Sequence, residues 1–206
     1  MTDKSQVIHI VDDDAAIRDS LSILLKTSGL SAATYPDAQA FLKSYDPTGS
    51  GCLVLDIHMP VMSGLNLQEE LLAVGARLPI IFITGHADVD TAVQALKAGA
   101  FDFLQKPFDY TELMALIKQA LEKDRKYRTA LIKQMHIRDR LQTLTPREKE
   151  VLDRIVEAKA TKVIAIEMAL SQRTIEIYRA NIMQKIQCRS TAQLVRLISE
   201  YNCTTI

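Results

Sequence analysis

The first 123 residues alternate five short apolar runs with longer segments whose apolar residues recur every three or four positions. The short runs have the length of β-strands. The longer segments have the period of amphipathic helices, as at Ile17, Leu21 and Leu24. Strands that are apolar on both faces and joined by helices indicate a parallel sheet covered on both sides, a doubly wound α/β fold. The predicted strands are 6–11, 31–35, 52–57, 79–84 and 101–105.

The rest of the chain has the pattern of helices only. Residues 124–140 are charged, contain no Gly or Pro, and are predicted to form a helical linker. Thr145, Pro146 and Glu148 have the spacing of a capping box with proline at the first helical position. Three more helices are predicted, at about 161–169, 172–187 and 190–200. The predicted domain limits are therefore 1–123, 124–140 and 141–206.

The net charge changes sign near residue 124, close to the end of the first predicted domain. Residues 1–124 carry 9 Lys+Arg and 17 Asp+Glu, net −8, whereas residues 125–206 carry 16 and 8, net +8. A basic module indicates a polyanionic partner, although a solvated basic surface has the same composition. The three scattered cysteines match neither a disulfide framework nor a zinc site, and no segment resembles a membrane span or a secretion signal. We expect a cytoplasmic protein without a membrane partner.

Polar residues stand where the predicted strands end: Asp12 and Asp13 after the first, Asp56 after the third, Thr84 after the fourth and Lys106 after the fifth. The carboxyl ends of parallel strands share one edge of the sheet, so these side chains are expected to meet there. Three close carboxylates repel each other and favour a hard dication with oxygen ligands, for which Mg²⁺ fits best. Asp14 fits better as the N-cap of the first helix.

The motifs "IVDDD", "LDIHMPVMSG", "ITGHAD" and "FLQKPF" resemble, in order and spacing, the receiver domain of two-component response regulators over residues 5–123. The resemblance implies a flavodoxin-like (βα)5 fold, Mg²⁺ as cofactor, and a sensor histidine kinase as phosphodonor. It assigns phosphorylation to Asp56, Mg²⁺ to Asp12, Asp13, Asp56 and the His58 backbone carbonyl, phosphoryl contacts to Thr84 and Lys106, and an aromatic switch to Phe103. Phe103 is equally compatible with a packed strand residue. A cis Lys106–Pro107 bond is also implied.

Residues 141–200 resemble the four-helix DNA-binding domain of the LuxR type, through "LTPREKEVLDRIV", "KVIAIEMALSQRTIEIYRANIMQKI" and "RSTAQLVRL". The whole chain thus resembles response regulators of the FixJ/NarL family, which implies promoter binding as a dimer after phosphorylation. At 100° per residue, Ile175, Tyr178, Ile182 and Ile186 share the inner face of the recognition helix.

The opposite face of that helix is available to a major groove of duplex DNA. Lys162, Arg173, Arg179 and Lys185 are predicted to contact phosphates, with Gln172 and Thr174 at the helix start beside its free backbone donors. Glu176 can accept from a cytosine amino group, and Ile177 or Ala180 can touch a thymine methyl.

Four positions depart from the usual LuxR-type pattern. Ala158 or Lys159, and then Ala169, stand where glycines are usual, Tyr178 stands where histidine is, and Ile186–Gln187 replaces "LG". The turn at 169–171 therefore lacks glycine's freedom at positive φ.

Two other functions stay open at this point. A Mg²⁺-dependent phosphohydrolase working through an aspartyl-phosphate would be expected to carry an Asp two residues after its nucleophile, where this chain has His58. The second open function is a receiver domain joined to a domain that binds RNA or protein. His58 and His86 either tune the lifetime of the phosphoryl group or are ordinary loop residues.

Overall fold

The computed structural model describes residues 6–85 and 89–204, and the chain divides into two compact units, Met1–Arg128 and Thr129–Ile206. The first unit contains strands β1 (Val7–Val11), β2 (Ser31–Tyr35), β3 (Gly51–Asp56), β4 (Ile80–Thr84) and β5 (Asp102–Gln105). They form one parallel sheet in the order β2-β1-β3-β4-β5. The five predicted strands are confirmed, with ends that differ by no more than one residue. The doubly wound α/β prediction is also confirmed.

Helices cover both faces of this sheet: α1 (Ala15–Thr27), α2 (Ala38–Ser44), α3 (Gly64–Ala73), α4 (Val89–Lys97) and α5 (Tyr110–Gln142). Successive side chains of a strand point to opposite faces, so β3 supplies two separate cores. Cys52 and Val54 pack in the cluster that includes α1 and α5, while Leu53 and Leu55 pack in the cluster that includes α2 and α3. Every residue of β3 and β4 is buried, which places the two central strand ends in a dry environment.

Helix α5 runs without a break from Tyr110 to Gln142. Asp109 precedes it and accepts a hydrogen bond from the Thr111 backbone N–H at 2.8 Å, as expected of an N-cap. The helical state predicted for 124–140 is confirmed, but α5 has no end at 123 or 140. The domain limits 1–123, 124–140 and 141–206 therefore stay predictions.

A buried polar network fixes α5 to the start of β3. The Asp124 carboxylate, on α5, is 1% exposed and accepts hydrogen bonds from the Ser50 hydroxyl and, at 3.0 Å, from the Gly51 backbone N–H. Arg128 donates to the same carboxylate at 2.9 Å and to the Thr48 carbonyl at 3.0 Å. This network lies at the opposite end of β3 from Asp56.

The second unit contains the last turns of α5 and four further helices, α6 (Pro146–Val156), α7 (Thr161–Glu167), α8 (Gln172–Ile186) and α9 (Thr191–Thr204), around one apolar core. The predicted capping box is confirmed: the Thr145 hydroxyl accepts from the Glu148 N–H, and the Glu148 carboxylate accepts from the Thr145 N–H at 2.7 Å. Among the described residues, no helix combines the length and apolar character needed to span a membrane.

The second unit keeps a left-handed backbone at three positions without glycine. Ala158, Ala169 and Gln187 have φ values of 58°, 53° and 60°. Ala169 closes the turn between α7 and α8, and Gln187 ends α8 with its N–H directed to the Gln184 carbonyl. The turns between these helices therefore adopt the left-handed backbone without glycine, although a side chain in this backbone region is strained.

Candidate functional site

The parallel sheet brings the predicted polar residues together at the carboxyl ends of its strands. Val11 pairs with Leu55 in the register of β1 and β3, so the next residues, Asp12 and Asp56, lie side by side at the strand ends. Asp12 is 0% exposed, Asp56 7% and Thr84 1%. The crevice therefore contains two carboxylates and a hydroxyl that have lost most of their water.

Lys106 connects the two buried carboxylates. Its Nζ donates to Asp12 Oδ2 at 2.8 Å and to Asp56 Oδ2 at 2.9 Å. Burial raises the pKa of Asp12, and the hydrogen bond from Lys106 opposes that shift only in part. Burial lowers the pKa of Lys106, but its hydrogen bonds to Asp12 and Asp56 outweigh burial and raise the pKa overall. Lys106 is therefore a fixed cation beside the Asp56 oxygens, and its bond to Pro107 is cis as predicted.

The loop after β1 holds Asp12 in place. Asp12 Oδ1 accepts from the Asp14 backbone N–H at 2.8 Å, while the Arg18 guanidinium donates to the Asp12 carbonyl at 2.7 Å. Asp14 caps α1 by accepting from the Ala16 N–H at 2.8 Å, which confirms its predicted role. Sequence reasoning missed Arg18, because an arginine on the first turn of a helix is ordinary until its partner is known.

Asp12, Asp13 and Asp56 can supply the ligands of a metal ion. Each offers a carboxylate oxygen, and these oxygens lie within 4.8 Å of one another. Hard carboxylate oxygens at this spacing, with Asp13 exposed to admit water, fit a hydrated Mg²⁺ ion. His58 is exposed, and its backbone N–H donates to Asp56 Oδ1 at 3.3 Å. Its carbonyl as a metal ligand stays a prediction, and His86 lies outside the described residues.

Gly64 allows the loop after β3 to pass close to Asp56. A Cβ on Gly64 would overlap the Asp56 carbonyl oxygen, and the Gly64 N–H bonds to the Ile57 carbonyl at 2.9 Å. Val61 in the same loop has φ of 68° and is 94% exposed. The "SG" pair at 63–64 is the sequence signal that could have revealed this close approach.

Phe103 lies on β5 beside β4, where it pairs with Phe82 and packs at the edge of the second core cluster, half-buried. Thr84 pairs with Gln105 two residues further along. The two predicted switch residues therefore lie on adjacent strands, and their role as a switch stays a prediction.

Helix α8 has the predicted two-faced character. Ile175, Ile182 and Ile186 are fully buried, and Tyr178 packs against the same core. The outer face is exposed and includes Arg173, Glu176, Ile177 and Ala180, with Ile177 55% exposed. At the start of the helix, the Ser171 hydroxyl accepts from the Thr174 N–H at 3.1 Å, and Gln172 is exposed.

The four basic residues assigned to phosphates fall into two pairs. Lys162 and Arg173 are exposed. Arg179 instead donates to the Thr191 hydroxyl at 2.9 Å, and Lys185 donates to Glu148 at 2.7 Å and to the Thr143 carbonyl at 3.3 Å. These partners come from distant parts of the chain, which is why no local pattern in the sequence revealed them.

Comparisons with known proteins agree with this geometry in both units. Residues 8–118 match the family model described as the response regulator receiver domain, and residues 142–198 match the model for bacterial regulatory proteins of the luxR family. The chain is 41% identical to the transcriptional regulatory protein FixJ of Azorhizobium caulinodans, over 94% of this chain and 92% of the relative. It is 39% identical to the response regulator protein TodT of Pseudomonas putida F1, over 96% and 87%.

Solved structures give the same result. The structure of the response regulator StyR matches with a TM-score of 0.89 and 40% identity, covering 96% of this chain and 100% of that one. Full-length FixJ from B. japonicum matches with a TM-score of 0.59 and 40% identity, covering 96% and 98%.

Proposed function

The chain belongs to the two-component response regulators that join a receiver to a LuxR-type DNA-binding domain, and on that premise we propose that phosphorylation of Asp56 controls its regulation of transcription. The observation that carries the proposal is the position of Lys106. Its Nζ donates hydrogen bonds to Asp56 at 2.9 Å and to Asp12 at 2.8 Å in a buried crevice. This arrangement fits a nucleophilic carboxylate whose phosphorylated form is held by a nearby cation.

Asp56 is the nucleophile in this proposal. A carboxylate oxygen of Asp56 attacks the phosphorus of a phosphohistidine on a sensor kinase, the P–N bond breaks, and the imidazole leaves and takes up a proton. Lys106 neutralises charge on the transferred oxygens, and the Thr84 hydroxyl donates a hydrogen bond to one of them. The acyl phosphate carries about −1.5 to −2 charges where the carboxylate carried −1, so the crevice becomes more negative and Lys106 stabilises the phosphorylated form.

Mg²⁺ is the cofactor that the ligand set fits. Asp12, Asp13, Asp56 and the His58 backbone carbonyl would hold the ion, which supplies charge neutralisation at the phosphoryl oxygens. Asp12 is held for this role by its own hydrogen bond from the Asp14 N–H at 2.8 Å.

Duplex DNA is the partner of the second unit in this proposal. Exposed Arg173 and Lys162 contact phosphates, and Glu176, Ile177 and Ala180 face the bases. Gln172 and Thr174 stand beside the backbone donors at the start of α8. Arg179 and Lys185 contribute fewer free donors, because Thr191, Glu148 and Thr143 already accept from them.

Phosphorylation is proposed to act through dimerisation. Thr84 moves toward the new phosphoryl oxygen, Phe103 follows it, and the surface of α4, β5 and α5 becomes able to bind a second copy. Promoter DNA as partner, together with a kinase donor, would place this activity in the cytoplasm.

A labelling experiment tests the assignment of Asp56. The full-length protein is treated with a small acyl phosphate and Mg²⁺, and the labelled residue is located by mass spectrometry after reduction with borohydride. We expect one labelled residue in the wild type and none in Asp56→Asn. Asp109→Asn is the control, because asparagine also caps helices well, and it should label like the wild type. Undiminished labelling of Asp56→Asn would remove the proposal.

A further inference from the structure

Three side chains within the second unit hold the C-terminal end of α8 against the end of α5 and the start of α6. Arg140, in the last turn of α5, donates from Nη1 to the Ile186 carbonyl at 3.2 Å. Lys185 donates from Nζ to the Thr143 carbonyl at 3.3 Å, just after α5 ends, and to Glu148 Oε2 at 2.7 Å. We call Arg140, Thr143, Glu148, Lys185 and Ile186 the α8-end cluster.

The cluster satisfies groups that a helix end leaves without partners. The last carbonyls of a helix have no intrahelical donor, and the helix dipole places partial negative charge there. Arg140 supplies both a donor and a positive charge to the Ile186 carbonyl. The favourable position for this guanidinium is therefore defined by the axis of α8.

Glu148 makes the arrangement costly to break. It is 3% exposed, and its Oε2 accepts both from Lys185 and from the Thr145 N–H at 2.7 Å. A buried carboxylate that loses its cationic partner is strongly destabilising, so Lys185 is held against α6. Because Lys185 belongs to the last turn of α8, its position also fixes the direction of that helix.

A small tilt of α8 about its C-terminal end gives a large displacement of its N-terminal end. Ile186 and Arg173 are 13 residues apart, which is about 20 Å of helix. A tilt of about 10° about Ile186 would move Arg173 by about 3.5 Å, close to the rise of about 3.4 Å per base along one DNA strand. Contacts of α8 with base edges therefore depend on how its far end is held.

We propose that Arg140 and the Glu148–Lys185 pair are positioning residues for DNA recognition, which set the direction of α8 relative to the last turns of α5. This inference rests on the proposed DNA-binding function of the second unit. It assigns a role to Arg140 and Glu148, which lie outside α8, and a second role to Lys185, which lies in the last turn of α8. It also makes the end of α5 part of the mechanism that determines sequence specificity.

Positioning and direct electrostatics predict opposite results for Glu148→Gln. Removing a negative charge from the domain would raise DNA affinity if only the overall charge mattered. Positioning instead predicts a loss of specific affinity. The glutamine amide oxygen can still accept from the Thr145 N–H, but the neutral side chain no longer forms an ion pair with Lys185. Arg138→Gln is the control for Arg140→Gln, since Arg138 is on the same helix turn, is 55% exposed, and forms its ion pair with neighbouring Asp139.

The experiment uses full-length protein treated with a phosphodonor and Mg²⁺. Wild type first enriches duplexes from a randomised pool, and each variant is then titrated with the enriched duplex and with a scrambled duplex of equal length and composition. We expect Glu148→Gln and Arg140→Gln to lose about tenfold in affinity for the enriched duplex, about 1.4 kcal/mol, with scrambled binding lowered no more than in Arg138→Gln. Arg140→Lys should recover part of the loss.

Three results would overturn the inference. These are tighter or unchanged specific binding by Glu148→Gln, equal effects of Arg138→Gln and Arg140→Gln, or a parallel loss of specific and scrambled binding together with a lower melting temperature. If wild type enriches no duplex at all, the proposed DNA-binding function has failed, which is a separate outcome.

Discussion

At the scale of single residues, Ala169 carries a backbone conformation that suits glycine better. Its φ of 53° lies in the left-handed region, where a Cβ atom costs about 1–2 kcal/mol. Replacing alanine by glycine removes that strain but adds conformational freedom to the unfolded chain, which offsets part of the gain. We therefore predict that Ala169→Gly raises the free energy of unfolding of the second unit by about 0.5–1 kcal/mol.

Urea unfolding of the full-length protein, followed through the transition of the second unit, measures this change. Ala130→Gly is the matched control, because Ala130 is an exposed residue within α5 and glycine there should lower stability by about 1 kcal/mol. Equal destabilisation by both substitutions would show that the turn at Ala169 is not strained.

At the scale of elements, α5 depends on Asp124 for its attachment to the sheet. Asp124 is buried, and its carboxylate accepts hydrogen bonds from Gly51, Ser50 and Arg128. Asparagine would replace one of the accepting oxygens by an NH₂ group, which cannot accept a hydrogen bond from these donors. We predict that Asp124→Asn lowers the free energy of unfolding of the first unit by about 2 kcal/mol. Glu122→Gln makes the same chemical change nearby on α5, in an exposed ion pair with Arg125, and should leave the free energy of unfolding almost unchanged.

Chemical denaturation of both variants distinguishes a buried network from a surface ion pair. If Asp124→Asn and Glu122→Gln destabilise the first unit to the same small extent, the network does not anchor α5.

The elements also show what could be predicted from the sequence. Apolar runs and helical periods located all five strands, and parallel topology then brought Asp12, Asp56 and Lys106 to one edge. The uninterrupted length of α5 could not be predicted in this way, because the change of charge near residue 124 indicates a boundary there. Glu148 and Lys185 are 37 residues apart in the chain, and only tertiary packing could reveal their ion pair.

At the scale of the whole molecule, the chain links an acidic receiver to a basic DNA-binding domain, and the proposed signal is a change in association. Thr84 is 1% exposed at the end of β4, two positions along from the Phe82–Phe103 pair of β4 and β5. A phosphoryl group at Asp56 that attracts the Thr84 hydroxyl would favour an arrangement of β4 and β5 in which Thr84 lies close to that group. The preference must amount to a few kcal/mol to shift the population usefully.

We predict that the phosphorylated wild type sediments as a dimer, whereas Thr84→Ala accepts the phosphoryl group but stays monomeric. Thr84→Ser keeps the hydroxyl and should dimerise like the wild type, which separates the hydrogen bond from the loss of side-chain volume. A dimer can place two recognition helices on half-sites about 34 Å apart, so Thr84→Ala should also lose cooperative binding to DNA. Sedimentation velocity with and without phosphodonor, at phosphorylation levels verified by mass spectrometry, measures the association directly. A stoichiometrically phosphorylated wild type that remains monomeric would contradict the mechanism, because two recognition helices would then have no phosphorylation-dependent link.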